Sequence, residues 1–217
     1  MVKKGDLCCS SFDLYLPVVS INSNILNFLA HIFLSGNDDQ LMIGNFIADY
    51  VKGNKKDLFP EKIRKGIELH RAIDDYTDHH PITEDSKARL RPKYRKYSGV
   101  IVDLYYDHFL AKYFGMYSQV SLPEFTRRTY AILLENQHVL PDGIKQFLPY
   151  MIERNWLENY ATIEGIGRTL TGLSKRVSFE NKMDESVHDL KTDYAIYKNE
   201  FHRFFPQLIT FAAGKKM

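Results

Sequence analysis

The chain predicts an all-α, single-domain helical bundle, and three observations carry that expectation. Convincing apolar/polar alternation of the strand kind is absent throughout, whereas apolar residues recur at spacings of three and four. Prolines, glycines and short polar caps break the sequence into segments of helical length. With 217 residues, 44% hydrophobic and 13% aromatic, the chain can bury one substantial core. No uninterrupted apolar run approaches the roughly 20 residues needed to cross a bilayer, so membrane insertion is not expected.

Residues 1–25 differ from the rest and read as a poorly ordered extension. Lys3 and Lys4 precede a weakly apolar stretch, but Asp6, Asp13 and Pro17 interrupt it and no clean cleavage site follows, which argues against a secretory signal. Cys8 and Cys9 are adjacent and no third cysteine exists, so no disulfide framework is expected and a reducing, cytoplasmic setting fits.

From Leu26 the pattern turns helical, with Phe28, Leu29, Ile32 and Phe33 in a stripe and His31 on its flank. Gly36 ends that segment, and Asn37, Asp38 and Asp39 offer a cap for the next helix. There Leu41, Asn45, Ala48, Asp49 and Lys52 share one side, while Ile43, Ile47 and Tyr50 share another. Asn45 and Asp49 are polar groups one turn apart on a face with apolar neighbours, and Gly53-Asn54 closes the helix.

The most informative stretch lies between Pro60, suited to a first helical turn, and Pro81, which stops continuation. At about 3.6 residues per turn, Ile63, Ile67, His70, Asp74 and Thr77 fall on one stripe. A histidine and an aspartate thus occupy the middle of a face that should be buried. An unpaired buried carboxylate is destabilising by several kcal/mol, so Asp74 needs an ion or fixed hydrogen-bond donors.

After Pro81, Lys87, Arg89, Arg91, Lys93, Arg95 and Lys96 form a run with no acid between Asp85 and Asp103. Such a run is usually a solvated face, but its single sign suits an acidic protein, a phosphate or a nucleic acid. Tyr94 and Tyr97 interleave with it, yet no RNA-binding signature accompanies them. Residues 98–114 are apolar nearly all round, as expected of a central helix, and carry Asp103, Asp107 and His108. Further helices are expected over 122–138, 143–160, 162–175 and 183–204, with Pro206 as a stop and 209–217 as a tail. Leu133, Leu134, Phe147, Trp156, Leu157, Tyr160, Phe201 and Phe205 should be core. His188-Asp189 is the only His-Asp dipeptide, but it lies in a strongly charged stretch and reads as structural.

The polar set His31, Asp49, His70, Asp74, Asp78, Asp107 and His108 consists of imidazoles and carboxylates, donors that suit manganese, iron or zinc. Facing helices of a bundle can converge such ligands. A bound ion would lower the pKa of water and neutralise phosphoryl charge, which points to hydrolysis of a phosphate ester. Two other readings fit the same residues: a phosphohydrolase of nucleotides or other small phosphoesters, and a non-enzymatic adaptor for an acidic partner.

Asn27-Phe28-Leu29-Ala30-His31 and Gly44-Asn45-Phe46-Ile47-Ala48-Asp49-Tyr50-Val51-Lys52-Gly53 resemble the start of acyl carrier protein phosphodiesterases. The resemblance continues through Gly66-Ile67, Leu69-His70-Arg71, Ile73-Asp74, Thr77-Asp78 and His80-Pro81 to Asp103 and Asp107-His108-Phe109-Leu110, covering about residues 26–208. It implies an HD-domain-like helical protein that removes 4′-phosphopantetheine from holo-acyl carrier protein with a divalent metal, typically Mn2+. Carried over, it places Asp49, His70, Asp74 and Asp107, then His31 and His108, at metal binding or catalysis, and Asp78 and Arg71 at orienting a base or phosphate. Family members begin with methionine before the Asn-Phe-Leu-Ala-His segment. Leu26 stands there in this chain, which suggests a non-ATG start at that codon. The order Asp107-His108 also reverses that of the HD signature.

Overall fold

The computed structural model describes residues 28–177 and 179–216, and the expectation for residues 1–25 lies outside them. The described residues contain eleven α-helices joined by short turns, with no strand among them. The helices are α1 (Phe28–Leu34), α2 (Asp39–Ile47), α3 (Glu61–His79), α4 (Pro81–Tyr94), α5 (Ser98–Lys112), α6 (Leu122–Glu135), α7 (Asp142–Glu153), α8 (Trp156–Asn159), α9 (Ile163–Arg176), α10 (Ser186–Thr192) and α11 (Tyr194–Lys216).

Helix α2 starts where Asp38 accepts hydrogen bonds from the N–H groups of Gln40 (3.0 Å) and Leu41 (3.1 Å). It packs most intimately against α3, because Gly44 and Gly66 let the two backbones nearly touch. A Cβ on Gly66 would lie 2.2 Å from the Leu41 carbonyl oxygen and 2.8 Å from Gly44 Cα. Ile43, Ile47, Ile63 and Ile67 close over this crossing and are buried.

Pro60 stands just outside α3, where its carbonyl accepts from Arg64 N–H at 2.9 Å. Pro81 begins α4 after a one-residue corner at His80, whose Nδ1 accepts from Ile82 N–H at 3.2 Å. Helix α5 runs through the centre, as its all-round apolar character implies: Ile101, Leu104, Tyr105, Phe109 and Leu110 are fully buried. The long α11 covers α1, α3, α4 and α5 with Phe201, Phe204, Phe205 and Leu208.

Several expected boundaries shift. The segment 143–160 divides into α7 and α8 at Asn155, whose positive φ of 44° turns the chain without a glycine. The segment 183–204 divides at Asp193. Pro206 does not end α11, and residues 209–216 are helix rather than tail. The aromatic contacts on both sides of Pro206 hold the helix in place: Phe201 stacks on Phe205 at 5.0 Å, and Tyr76 on Phe211 at 4.2 Å. Leu134 is 45% exposed rather than core, and Trp156 is half-buried, while the other expected core residues are buried.

Candidate active site

Four elements meet at one polar centre: α1 supplies His31, α2 supplies Asn45, the turn after it supplies Asp49, and α3 supplies His70 and Asp74. The His31 and His70 rings stack with centroids 3.9 Å apart and 19° between planes. Asn45 fixes both. Its amide nitrogen donates to the His31 carbonyl (2.8 Å) and to Ser35 Oγ (3.0 Å), which leaves Oδ1 as the acceptor. That oxygen faces His31 Nδ1 at 2.9 Å and His70 Nδ1 at 3.1 Å, and the Asn45 carbonyl lies 2.8 Å from His70 Nδ1. Each Nδ1 therefore donates, and each Nε2 is turned the other way.

Both Nε2 atoms face carboxylates. His31 Nε2 is 3.2 Å from Asp74 Oδ1, while His70 Nε2 is 3.2 Å from Asp74 Oδ2 and 3.4 Å from Asp49 Oδ1. Burial pushes the His70 pKa down, but the Asp49 and Asp74 carboxylates outweigh it and raise it to about 10. Burial likewise pushes the Asp74 carboxyl up, yet His31 and His70 hold it well below the usual carboxylate range. Asp74 keeps 45% of its side chain exposed, so the centre opens to solvent on that side.

This donor set fits a divalent ion. One atom each from His31, His70 and Asp74 lie within 4.8 Å of one another, close enough to share an ion. The Nδ1–H bonds to Asn45 are the outer contacts that orient metal-binding imidazoles. Asp49 borders the same Nε2 and could complete a two-nitrogen, two-carboxylate set.

The remaining expected residues stand elsewhere. Asp107 is buried and accepts from the N–H groups of Leu29 (3.0 Å) and Ala30 (2.9 Å), so it pins the first turn of α1 two residues before His31. Burial raises its pKa to about 7, against the pull of those two donors. His108 points away from Asp107: its Nδ1 meets the Tyr160 carbonyl at 2.8 Å and its Nε2 the Tyr194 hydroxyl at 2.9 Å. Burial lowers its pKa to about 4, so it is a neutral core histidine. Both nitrogens are engaged, so the ring faces Tyr160 and Tyr194 and not the His31–His70 centre.

Arg71 Nη2 donates to the carbonyls of Val51 (2.9 Å) and Gly53 (3.2 Å), bracing the turn that carries Asp49. Asp78 is exposed on the rim, 3.5 Å from Lys87 Nζ. Asp103 lines a cavity of about 20 Å3 with His31, Thr77 and Tyr106, room for one water. Burial, then Asp74, Asp78 and Asp107, raise the Asp103 pKa well above the usual range.

The basic run is mostly neutralised within the chain. Arg89 pairs with Glu200, Arg91 with Glu84 (2.7 Å), and Lys93 with Asp189 (3.2 Å) and Glu185 (3.4 Å). Lys87 donates to the Asp78 carbonyl at 2.7 Å. Asp189 also accepts from the Tyr94 hydroxyl and so braces α10 against α4, the structural part expected of it. Of the run, Arg95 and Lys96 alone have no carboxylate partner among the described residues.

Fold and centre together define an all-helical protein whose buried imidazoles and half-open carboxylates could hold a metal ion. Residues 26–208 match the family described as acyl carrier protein phosphodiesterase. Proteins of that name from Enterobacter sp. (strain 638) and Klebsiella pneumoniae (strain 342) are each 32% identical over 196 residues, covering 88% of this chain and all of theirs. The one from Escherichia coli O157:H7 is 30% identical over 197 residues, with the same coverage. No solved structure matches the chain. The chain belongs to the acyl carrier protein phosphodiesterase family and is a phosphoric diester hydrolase.

Proposed function

We propose that the chain hydrolyses the phosphodiester that joins 4′-phosphopantetheine to holo-acyl carrier protein, releasing apo-protein and free 4′-phosphopantetheine. The observation that carries this reading is the meeting of His31, His70, Asp74 and Asp49 at one solvent-open point, on a chain of this family. A divalent ion, manganese in particular, would be held by His31 Nε2, His70 Nε2 and Asp74, with Asp49 beside them. When bound, it would supply positive charge for the phosphate and acidify water.

The chain's own residues do the rest. Asn45 holds both rings in the tautomer that presents Nε2. Asp107 sets the start of α1 and hence His31, and Arg71 sets the turn that bears Asp49. Asp49 and Asp74 can accept a proton from the attacking water, and Asp78 on the rim can orient it. The water oxygen bonds to phosphorus, the bond to the carrier-side oxygen breaks, and that oxygen leaves as a hydroxyl carrying one proton. Arg95 and Lys96 are cations of the basic run that can meet an acidic carrier, in the cytoplasm.

The test is direct. Purified protein is incubated with holo-acyl carrier protein and Mn2+, and the carrier is weighed by mass spectrometry. Loss of the prosthetic arm is expected. An unchanged carrier beside cleavage of free nucleotides would replace this reading with that of a small-phosphoester hydrolase.

A further inference from the structure

A second concave site lies apart from the His/Asp centre, where the turn joining α4 to α5 faces the segment between α9 and α10. It is a cleft of about 610 Å3, a size in the range of small-molecule pockets. Arg95, Lys96 and Tyr97 form one wall, and Phe179, Glu180 and Lys182 form the other.

Both walls are built rather than loose. On one side the Tyr94 hydroxyl and Lys93 are tied to Asp189. On the other, Asn181 Nδ2 donates to the carbonyls of Ser174 (3.0 Å) and Phe179 (3.1 Å), while its Oδ1 accepts from Met183 N–H at 3.3 Å. Arg95 sits at φ 50° and ψ −123°, a backbone conformation rare outside glycine.

The charges in the cleft are one-sided. Arg95, Lys96 and Lys182 have no carboxylate partner among the described residues, and Glu180 is the one acid of the lining. This contrasts with the rest of the basic run, whose cations are answered by Glu84, Asp189 and Glu200.

Its rings are equally unusual. Phe179 is 68% exposed, and Lys96 Nζ lies 4.7 Å from its centroid and 5.1 Å from that of Tyr97. Tyr97 is only 7% exposed, and its screened hydroxyl has no hydrogen-bond partner among the described residues. Unanswered cations ask for an anion, and the exposed Phe179 ring beside Lys96 asks for a planar group.

We propose that this cleft binds a nucleoside phosphate, with its phosphates against Arg95, Lys96 and Lys182 and its base against Phe179. A nucleotide combines several charges with one planar ring in a molecule of the right size. Binding here does not involve the hydrolytic centre, but it shares Arg95 and Lys96 with the carrier-docking reading, so a bound nucleotide would compete with carrier docking.

Isothermal titration calorimetry of the full chain with ADP tests this, with pyrophosphate, adenosine and a poly-glutamate peptide as comparisons. ADP should bind with a Kd on the order of 10–100 µM, at least about tenfold tighter than pyrophosphate or adenosine. Lys96→Ala with Lys182→Ala should weaken ADP and pyrophosphate at least about tenfold by removing two of three cations. Phe179→Ala should weaken ADP while leaving pyrophosphate unchanged, and Asp74→Asn should leave ADP binding as in the parent. The side chains exchanged in the cleft are surface groups, and an unchanged melting temperature verifies the fold of those variants. No ADP binding up to about 5 mM would overturn the proposal, as would binding lost in Asp74→Asn but kept in the cleft variants. Equal affinity for ADP and pyrophosphate would remove the ring, and tighter binding of poly-glutamate at the same lysines would reassign the cleft to an acidic protein; either overturns it.

Discussion

Gly66→Ala is the sharpest test of how the centre is held. The new Cβ would stand 2.2 Å from the Leu41 carbonyl oxygen, 2.8 Å from Gly44 Cα and 2.9 Å from Asn45 N, all of them backbone. Ordinary contact is about 3.4–4 Å, so α2 and α3 must part by on the order of 1 Å, with no flexible side chain able to yield instead. Overpacking of this kind is destabilising by about 1–3 kcal/mol. The same movement stretches the bond from His70 Nδ1 to the Asn45 carbonyl, now 2.8 Å, and loss of such a bond adds about 1 kcal/mol. A total of about 3 kcal/mol should lower the melting temperature by roughly 6–12 °C in a domain of this size. Turnover should fall as well, because Asn45 no longer orients both rings. Circular dichroism melts read the stability, with Gly115→Ala as control, since nothing lies within 4 Å of a Cβ there. A Gly66→Ala protein melting within about 2 °C of the parent would refute the claim that backbone contact sets this crossing.

Asp74→Asn should lower turnover at least about a hundredfold and abolish the rise in melting temperature expected of the parent with Mn2+, roughly 5–10 °C at a hundred times the Kd. Melts with and without the ion measure it, and an undiminished rise would exclude Asp74 as a ligand. His108→Gln should change the pH dependence of stability. With a folded pKa near 4 and an unfolded value of 6.5, the parent's His108 contributes fully above pH 6.5. The unfolded chain takes up the proton first as pH falls, so that contribution is lost toward pH 4, a change of about 3 kcal/mol. Asp107 works in the opposite sense: its carboxyl is raised from 3.8 to about 7, so its contribution is present below pH 3.8 and lost as pH rises through 7. The variant should therefore gain on the parent between pH 6.5 and 4, and a flat difference in urea midpoint would refute a buried neutral His108. Glu200→Ala removes the partner of Arg89, whose side chain is about 29% exposed and stays solvated, and should destabilise by only about 1–2 kcal/mol. Arg89→Met with Glu200→Met should recover most of that loss in the same denaturation assay.

The fold class was legible because helical periodicity and caps are local. Asp38 before α2 announces its helix directly, whereas Pro81, read as the stop of α3, also starts α4, a helix not expected from the sequence. Asn155 and Pro206 mislead for the converse reason. A positive φ at Asn155 leaves no mark in composition, and the aromatic packing around α11 overrides the proline signal. In the site, His70 and Asp74 showed themselves as polar interruptions of an apolar stripe within one helix. His31 and Asp49 were in the candidate set as polar residues beside apolar stripes, but their reach to His70 or Asp74 runs across a fold the sequence does not display. Asn45 was visible as a polar residue, but not as the acceptor shared by two rings that are 14 and 25 residues away.

Asp107 and His108 show why adjacency in sequence is a poor guide to shared chemistry. Neighbours on a helix point about 100° apart, so one meets α1 and the other meets Tyr160 and Tyr194. Helix α5 thus contributes placement rather than ligands: through Asp107 it anchors the turn that carries His31, and through His108 it ties to Tyr160 and Tyr194. The α2–α3 crossing does the same for Asn45 and His70. The half-open carboxylates are the exception, and that follows from their task. Under the proposed function, the rings are rigid so as to present Nε2 in one direction, whereas Asp74 stays open to the arm of a carrier protein. Asp74→Asn should therefore lower turnover and also lose the stability that its pairing with His31 and His70 provides, whereas Asp107→Asn should lower turnover through the placement of His31.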